Sequence, residues 1–426
     1  MNKAPYQLRE ASNGLQVLLV PRPSTEAVTV QFFFRAGGRY ESKETNGLAH
    51  FAEHMVFKGG ERYPNFKAVG DAINQVGGYF NAYTSSEITS FYVKVAADQI
   101  RVALDVLTDI LTVPTFDAKE LDKERGVIIE EINMYEDDPS SQVPVLLDEV
   151  LFPRHPLGLT ILGPKQNIRS FKRDAFDRYT KQYFTPDRGV LVIAGNTDTA
   201  TEKLLDEFAG RFKGSNDEEP KAAPKPGSSP RFKLKKRKTE QSHLGVALRG
   251  PSMRDGREAT VRLEVLSMIL GGNSSSRLFT EVREKQGLAY AVSSYPDQLV
   301  DAGSLNVYAG VSNDKADKAL ASVLRELARL RDGDLSDAEV AIGKESLKGT
   351  RALRWEDSTA LGTLYGLQQL LLGEIKLPHE LLAMIEGVTK KDIVTMAGEI
   401  VSDDKLYAVA VGPQDGKKLT ELVSFS

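Results

Sequence analysis

Residues 50–54 read His-Phe-Ala-Glu-His. On a helix, positions i and i+4 stand one above the other and i+3 lies beside them, so His50, Glu53 and His54 share one face. Leu48, Phe51, Ala52, Met55 and Val56 form a separate apolar stripe that would bury the helix back. Two imidazoles one turn apart can both reach one zinc ion at about 2.0–2.1 Å. Glu53 is then placed to take a proton from a water on that ion. A chance meeting of two structural histidines explains this poorly. The 426 residues hold only five His: His50, His54, His155, His243 and His379.

The chain has no Cys, which excludes disulfides, a thiolate nucleophile and every cysteine-ligated metal site. The redox compartment stays open. Any metal must be held by His, Asp and Glu, and a catalytic zinc normally takes three protein ligands. A helix expected at about 118–136 offers Glu124 and Glu131, seven residues apart and nearly aligned across two turns. Glu130 points about a quarter-turn away and reads as an exposed acid. On spacing alone, exposed surface acids are the better reading of Glu124 and Glu131.

Strands are expected at 15–20 and 27–35, rich in β-branched and aromatic residues. A helix follows at about 46–57, then a hairpin of 79–84 and 89–96, helices at about 98–112 and 118–136, and a buried strand at 189–194. Residues 213–231 are rich in Pro, Gly, Ser, Lys and acid, and read as a linker. The same order then returns: a strand at 243–248, a helix at about 258–270, a hairpin within 288–310, several helices, and a last strand at 405–411. The helix at 258–270 holds no His, so one metal site per chain is expected. The expected fold is α+β, with two homologous units, each a mainly antiparallel sheet with helices packed on one face. The division is 1–212 for the first unit, 213–231 for the linker and 232–426 for the second. A length of 426 residues agrees with two or three domains.

The formal net charge is −4, which gives no support for a nucleic-acid-binding surface. The run Lys235-Lys236-Arg237-Lys238 reads as a solvated strand or linker edge. No apolar run approaches the roughly 18–20 residues of a membrane span, so no membrane partner is expected. The first residues already read as folded protein. A soluble cytoplasmic chain is the expectation, and a trimmed leader would leave the same sequence. There is no Gly-x-Ser-x-Gly elbow, P-loop or Gly-x-Gly-x-x-Gly.

The pattern His-x-x-Glu-His is the inverted form of the common zinc-protease helix motif. The stretch GLAHFAEHMVFKGGERYP resembles the M16 (pitrilysin-type) metallopeptidases. ERGVIIEEINMYEDDP is similar to that family's third-ligand helix, and GGNSSSRLFTEVREKQGLAYAV to its second-half motif. Similarity is scattered over nearly the whole chain, and the M16B subgroup resembles it most. The resemblance implies zinc held by His50, His54 and Glu131, with Glu124 steadying the His ligands and Glu53 as general base. It implies Arg283 and Tyr290 as donors to the substrate carbonyl and its oxyanion, and the strand residues Asn81, Ala82 and Tyr83 as an edge to which a peptide adds.

The family's clamshell of four units further implies a dimer in which Arg283 and Tyr290 serve the partner's zinc. A homodimer suffices, and a heterodimer with a related zinc-less chain is the alternative. The implied function is a zinc endopeptidase acting on peptides or unfolded segments within a chamber. The alternatives are the catalytic subunit of a processing-peptidase-like heterodimer and a non-catalytic assembly subunit of the same fold.

Overall fold

A computed structural model of the chain describes residues 5–197, 199–227 and 232–425. Two compact units emerge. One gathers Met1–Ile132, Leu159–Lys221 and Arg354–Leu377; the other gathers Asn133–Gly158, Ala222–Leu353 and Pro378–Ser426. The expected α+β class is what is observed, with one sheet in each unit.

The first sheet holds β1 (Gln7–Glu10), β2 (Gln16–Pro21), β3 (Ala27–Phe34), β4 (Tyr79–Thr84), β5 (Thr89–Ala96) and β6 (Gly189–Gly195), in the order β1-β2-β6-β3-β5-β4. Only β2 and β6 pair in parallel. Alternate residues point to one face, as the strand period requires. Val17, Leu19, Val30, Phe32, Leu191 and Phe91 thereby enter one core. The helix Leu48–Val56 buries Phe51, Ala52 and Met55 in the same core, and Phe51 meets Phe176 edge to face at 4.9 Å.

The second sheet holds β7 (Phe232–Lys236), β8 (Gln241–Gly250), β9 (Ala289–Gln298), β10 (Gly303–Ser312) and β11 (Leu406–Gly412), in the order β7-β11-β8-β10-β9. Helices Arg257–Gly271 and Ala316–Arg331 supply Leu263, Leu266, Leu270, Leu320 and Leu327 to its core. The basic run starts on β7, an edge strand. There Lys235 bonds Gln142 and Arg237 bonds the Glu136 carbonyl.

Neither unit is one continuous stretch of chain. Division by composition places 133–158 in the first unit and 354–377 in the second, whereas packing does the reverse. The helix Ser358–Leu372 lies against β3 and β6 on the face opposite the first core. A Cβ at Gly366 would sit 2.5 Å from the Phe33 ring, so only glycine allows that approach. The second unit repeats the device. The helix Gln142–Leu151 lies on β8 and β11, where a Cβ at Gly245 would come within 2.5 Å of Val143. An apolar helix face does not encode which of two similar sheets will cover it. Each sheet therefore carries a helix on its second face that the sequence pattern did not assign.

Within the expected linker, residues 228–231 lie outside the described residues. The preceding part has no regular structure, yet it is held. Arg188, only 1% exposed, donates to the Asn216 carbonyl at 3.3 Å, the Glu218 carbonyl at 2.7 Å and the Arg35 carbonyl at 2.6 Å. Its guanidinium also faces the Tyr40 and Tyr183 rings at 4.7 and 5.3 Å. The pinning runs through main-chain carbonyls, which every sequence has, so a composition rich in Pro, Gly and Ser concealed it. No helix among the described residues is long and apolar enough to cross a membrane.

Arg188→Met keeps the bulk and takes the buried donor away from these carbonyls. We expect a stability loss of about 3 kcal/mol in urea denaturation, as for other buried charged donors. Faster tryptic cleavage after Lys213 and Lys221 should accompany it. An unchanged midpoint and digestion pattern would show that the strap is held by other groups.

Candidate metal centre

The helix Leu48–Val56 begins at Gly47, whose φ of 96° is left-handed and which has no side chain to cap the first turn. The cap comes from upstream. Glu41 accepts from the Gly47 and Ala49 N–H groups at 3.0 and 2.7 Å and from Asn46 Nδ2 at 3.0 Å. A carboxylate suits the positive end of a helix dipole. Burial pushes the Glu41 carboxyl up to about 7 against these bonds.

The face expected for His50, Glu53 and His54 forms, with the imidazole centroids 4.6 Å apart. The helix Ala118–Asp137 brings the acids. Glu131 Oε2 lies 3.6 Å from His50 Nε2 and 3.8 Å from His54 Nε2. A tetrahedral ion with bonds of about 2.0–2.1 Å sets its donors about 3.3–3.4 Å apart, so the three atoms fit a zinc ion after small adjustment. Among the described residues, His50, His54 and Glu131 are the one group of metal-ligating side chains close enough to share an ion. Glu130 is exposed, as its direction on the helix required.

His54 Nδ1 bonds Glu124 Oε1 at 2.8 Å, and Lys58 Nζ bonds Glu124 Oε2 at 2.5 Å. This chain fixes the His54 tautomer and leaves Nε2 to face Glu131. Burial is the largest influence on Glu124 and would raise it, but His54 and Lys58 together hold its carboxyl below the usual range. Burial would likewise depress His54; its bond to Glu124 and the charges of Glu53, Glu124 and Glu131 outweigh this and raise it. His50 differs. Burial, with His54 beside it, pushes it down to about 3, so it is a neutral donor. Its Nδ1 is buried with no hydrogen-bond partner among the described residues.

Glu53 is 9% exposed, and its Oε2 accepts from Thr84 Oγ1 at 2.6 Å. Burial raises its carboxyl, Thr84 and His54 pull it down, and Glu131 pushes it up again. Asn81, Ala82 and Tyr83 lie on β4, the sheet's edge strand. The Ala82 N–H donates to Asn81 Oδ1 at 2.8 Å. Phe57, Phe66, Phe80 and Ala82 line a cavity of about 190 Å³ that opens beside Glu53 and His54.

In the second unit, Arg283 sits in a π-helical turn, Phe279–Lys285. Its guanidinium lies 4.6 Å from the Phe279 ring and 5.6 Å from the Tyr290 ring, so Arg283 and Tyr290 are paired. Tyr290 is 78% exposed. Of the remaining histidines, His155 lies buried in a bend, where its Nδ1 accepts from the Leu157 N–H at 3.2 Å. His243 bonds the Tyr308 hydroxyl at 2.8 Å. Sequence reasoning missed Lys58, and it named Thr84 only as part of the edge strand, without its bond to Glu53. Lys58 stands four positions after His54, and Thr84 follows Phe80 and Ala82 at the strand period of two; both signals become meaningful only once the helix and strand face each other.

Residues 16–165 match the family model described as insulinase (peptidase family M16), and residues 170–347 match the peptidase M16 inactive domain. An uncharacterized zinc protease of Bacillus subtilis is 34% identical over 399 residues, covering 94% of this chain and 96% of that protein. The crystal structure of a protease from Helicobacter pylori superposes with a TM-score of 0.87 at 22% identity, over 95% of this chain and 99% of that one. A peptidase M16 inactive domain structure from Pseudomonas fluorescens gives 0.89 at 18% identity, over 96% and 98%. The last two share the fold.

The raised His54 sets the sign of a pH dependence. A proton held above the ordinary imidazole range competes with the ion, and binding must displace it. Zinc affinity measured by chelator competition should therefore fall as pH is lowered from about 8 to about 6, with proton release on binding. An affinity that does not change over that range would remove His54 from the ligand set.

Proposed function

The chain belongs to the M16 family of zinc metallopeptidases, and we propose that it is an endopeptidase acting on peptides and unfolded segments with one zinc ion per chain. The triangle of His50 Nε2, His54 Nε2 and Glu131 Oε2, with the Glu53 carboxylate on the same helix face, carries this reading. When bound there, zinc supplies a Lewis acid that acidifies water and polarises a carbonyl.

The chain's own groups account for the rest. Thr84 engages Oε2 of Glu53, which leaves Oε1 to accept the proton of the attacking water. The same carboxyl then delivers that proton to the leaving amine as the C–N bond breaks. An extended substrate adds to β4 by main-chain hydrogen bonds, the Ala82 N–H exchanging Asn81 Oδ1 for a substrate carbonyl. Backbone pairing gives broad specificity. The cavity of Phe57, Phe66 and Phe80 favours a large apolar side chain next to the scissile bond.

We place Arg283 and Tyr290 at the partner subunit's site in a homodimer, where they donate to the oxyanion. A stacked Arg–Tyr pair with the phenol left 78% exposed supports a role in contacts made outside its own unit. Two dimerised chains would enclose a chamber that admits flexible chains and excludes folded proteins.

Glu53→Gln should keep zinc at its wild-type stoichiometry and lower peptide cleavage by about 10²–10⁴-fold; cleavage at the wild-type rate would remove Glu53 from the base role. A protein that binds zinc yet cleaves nothing would instead be an assembly subunit of the same fold. The shared site is tested by mixing a His54→Ala chain with a Tyr290→Phe chain. Activity above that of either alone, in dimers confirmed by light scattering, supports the exchange. No recovery in confirmed mixed dimers would place a complete site within one chain.

A further inference from the structure

We infer that Thr84 is a positioning residue for the reaction: its hydroxyl locks the Glu53 carboxylate and ties the base to the strand that receives substrate. This rests on Glu53 being the general base, which Glu53→Gln checks separately.

The contact is short and directional. Thr84 Oγ1 stands 2.6 Å from Glu53 Oε2, within the range of a hydroxyl donating to an ionised carboxylate, a bond roughly twice as strong as a neutral one. Thr84 has one proton to give. Its other hydroxyl neighbour, Thr89 Oγ1, is 3.5 Å away and directs its own proton to the Ala36 carbonyl at 3.4 Å. Thr89 is fully buried and pairs with Thr84 in the β4–β5 ladder, so the donor is held by main-chain register and not by a mobile side chain. Glu53 is 9% exposed, and no other side chain donates to it among the described residues. Without the hydroxyl, the carboxylate could rotate about χ3, which is a soft torsion in Glu.

Location adds the second part. Phe80, Ala82 and Thr84 share one face of β4, and this face meets the helix Leu48–Val56. Asn81, Ala82 and Tyr83 form the edge at which a peptide would add, and Thr84 follows directly. The donor that holds the base therefore sits on the same strand that would receive substrate.

The test compares Thr84→Val, which keeps the shape and removes the hydroxyl, with Thr84→Ser, which keeps the hydroxyl and removes the methyl. The substrate is an internally quenched nonapeptide whose scissile bond is mapped with the wild-type zinc enzyme. The expected result is a kcat lower by about 10- to 100-fold for Thr84→Val, a loss on the scale of a misplaced catalytic group. KM and zinc content should stay at wild-type values, and Thr84→Ser should recover most of the lost kcat. Wild-type kcat in Thr84→Val would overturn the inference. So would a Thr84→Ser variant as slow as the valine variant, because packing of the methyl would then be the cause. A rise in KM alone, or loss of zinc, would assign Thr84 to binding or to the fold. If the valine variant does not fold, Thr84→Ala is judged by the same criteria; failure of both to fold makes the residue structural and overturns the inference.

Discussion

The bond from His54 Nδ1 to Glu124 joins two helices whose contact residues are 70 positions apart. The meeting of His50, His54 and Glu131 depends on that crossing. Glu131 lies two turns beyond Glu124 on the same helix, so fixing Glu124 against His54 also fixes where the third donor stands. Lys58 closes the arrangement from the other side. Its charge keeps Glu124 ionised in a place where burial favours the protonated form. A neutral Glu124 would be a poor acceptor for the His54 N–H, and the two helices would lose the polar link that sets their register.

The legible part of this site was the local part. One turn of helix places His50, Glu53 and His54 together whatever the rest of the chain does, and an apolar stripe of Phe51, Ala52 and Met55 is enough to say which side is buried. The strand 79–84 was legible as one half of a hairpin with 89–96, but its standing as the edge that receives a peptide came from the family resemblance. Glu131 was not legible. Its spacing from Glu124 reads better as an exposed helix face, and the family resemblance, not the geometry of one helix, singled it out. Lys58 and Thr84 show the general limit: each acts across a gap between elements, and a sequence carries no direct record of such distances.

The larger miss has a different origin. Helices 142–151 and 358–372 have apolar faces that fit a sheet, and both sheets offer similar β-branched surfaces. Periodicity says that a helix is buried; it does not say by what. The choice is written in close approaches, at Gly366 against Phe33 and at Gly245 against Val143, where the absence of a side chain makes room. Those glycines look unremarkable in sequence. The same applies to Arg188, whose partners are carbonyl groups of residues 35, 216 and 218. Main-chain partners leave no compositional trace, and a strap of linker-like residues can be held as firmly as a strand end.

Local consistency breaks down at this cluster, and the breakdown is informative. Glu53, Glu124 and Glu131 crowd around two imidazoles in a half-buried site, and Glu41 is buried beneath the start of the same helix. Burial raises Glu53 and Glu131 above their ordinary range, so in the folded chain they bind protons more tightly than in the unfolded one. The sign follows from linkage: the contribution of these two carboxyls to stability falls as pH rises from the unfolded carboxylate range through their raised values. A sequence optimised for folding alone would replace such acids with apolar or amide groups. A dication held by His50, His54 and Glu131 would reverse the balance, because it would stabilise the ionised carboxylates and need no proton to do so. The same crowding of acids is what would suit this cluster to a dication, and the well-packed core behind Phe51 and Met55 is what lets one helix carry it.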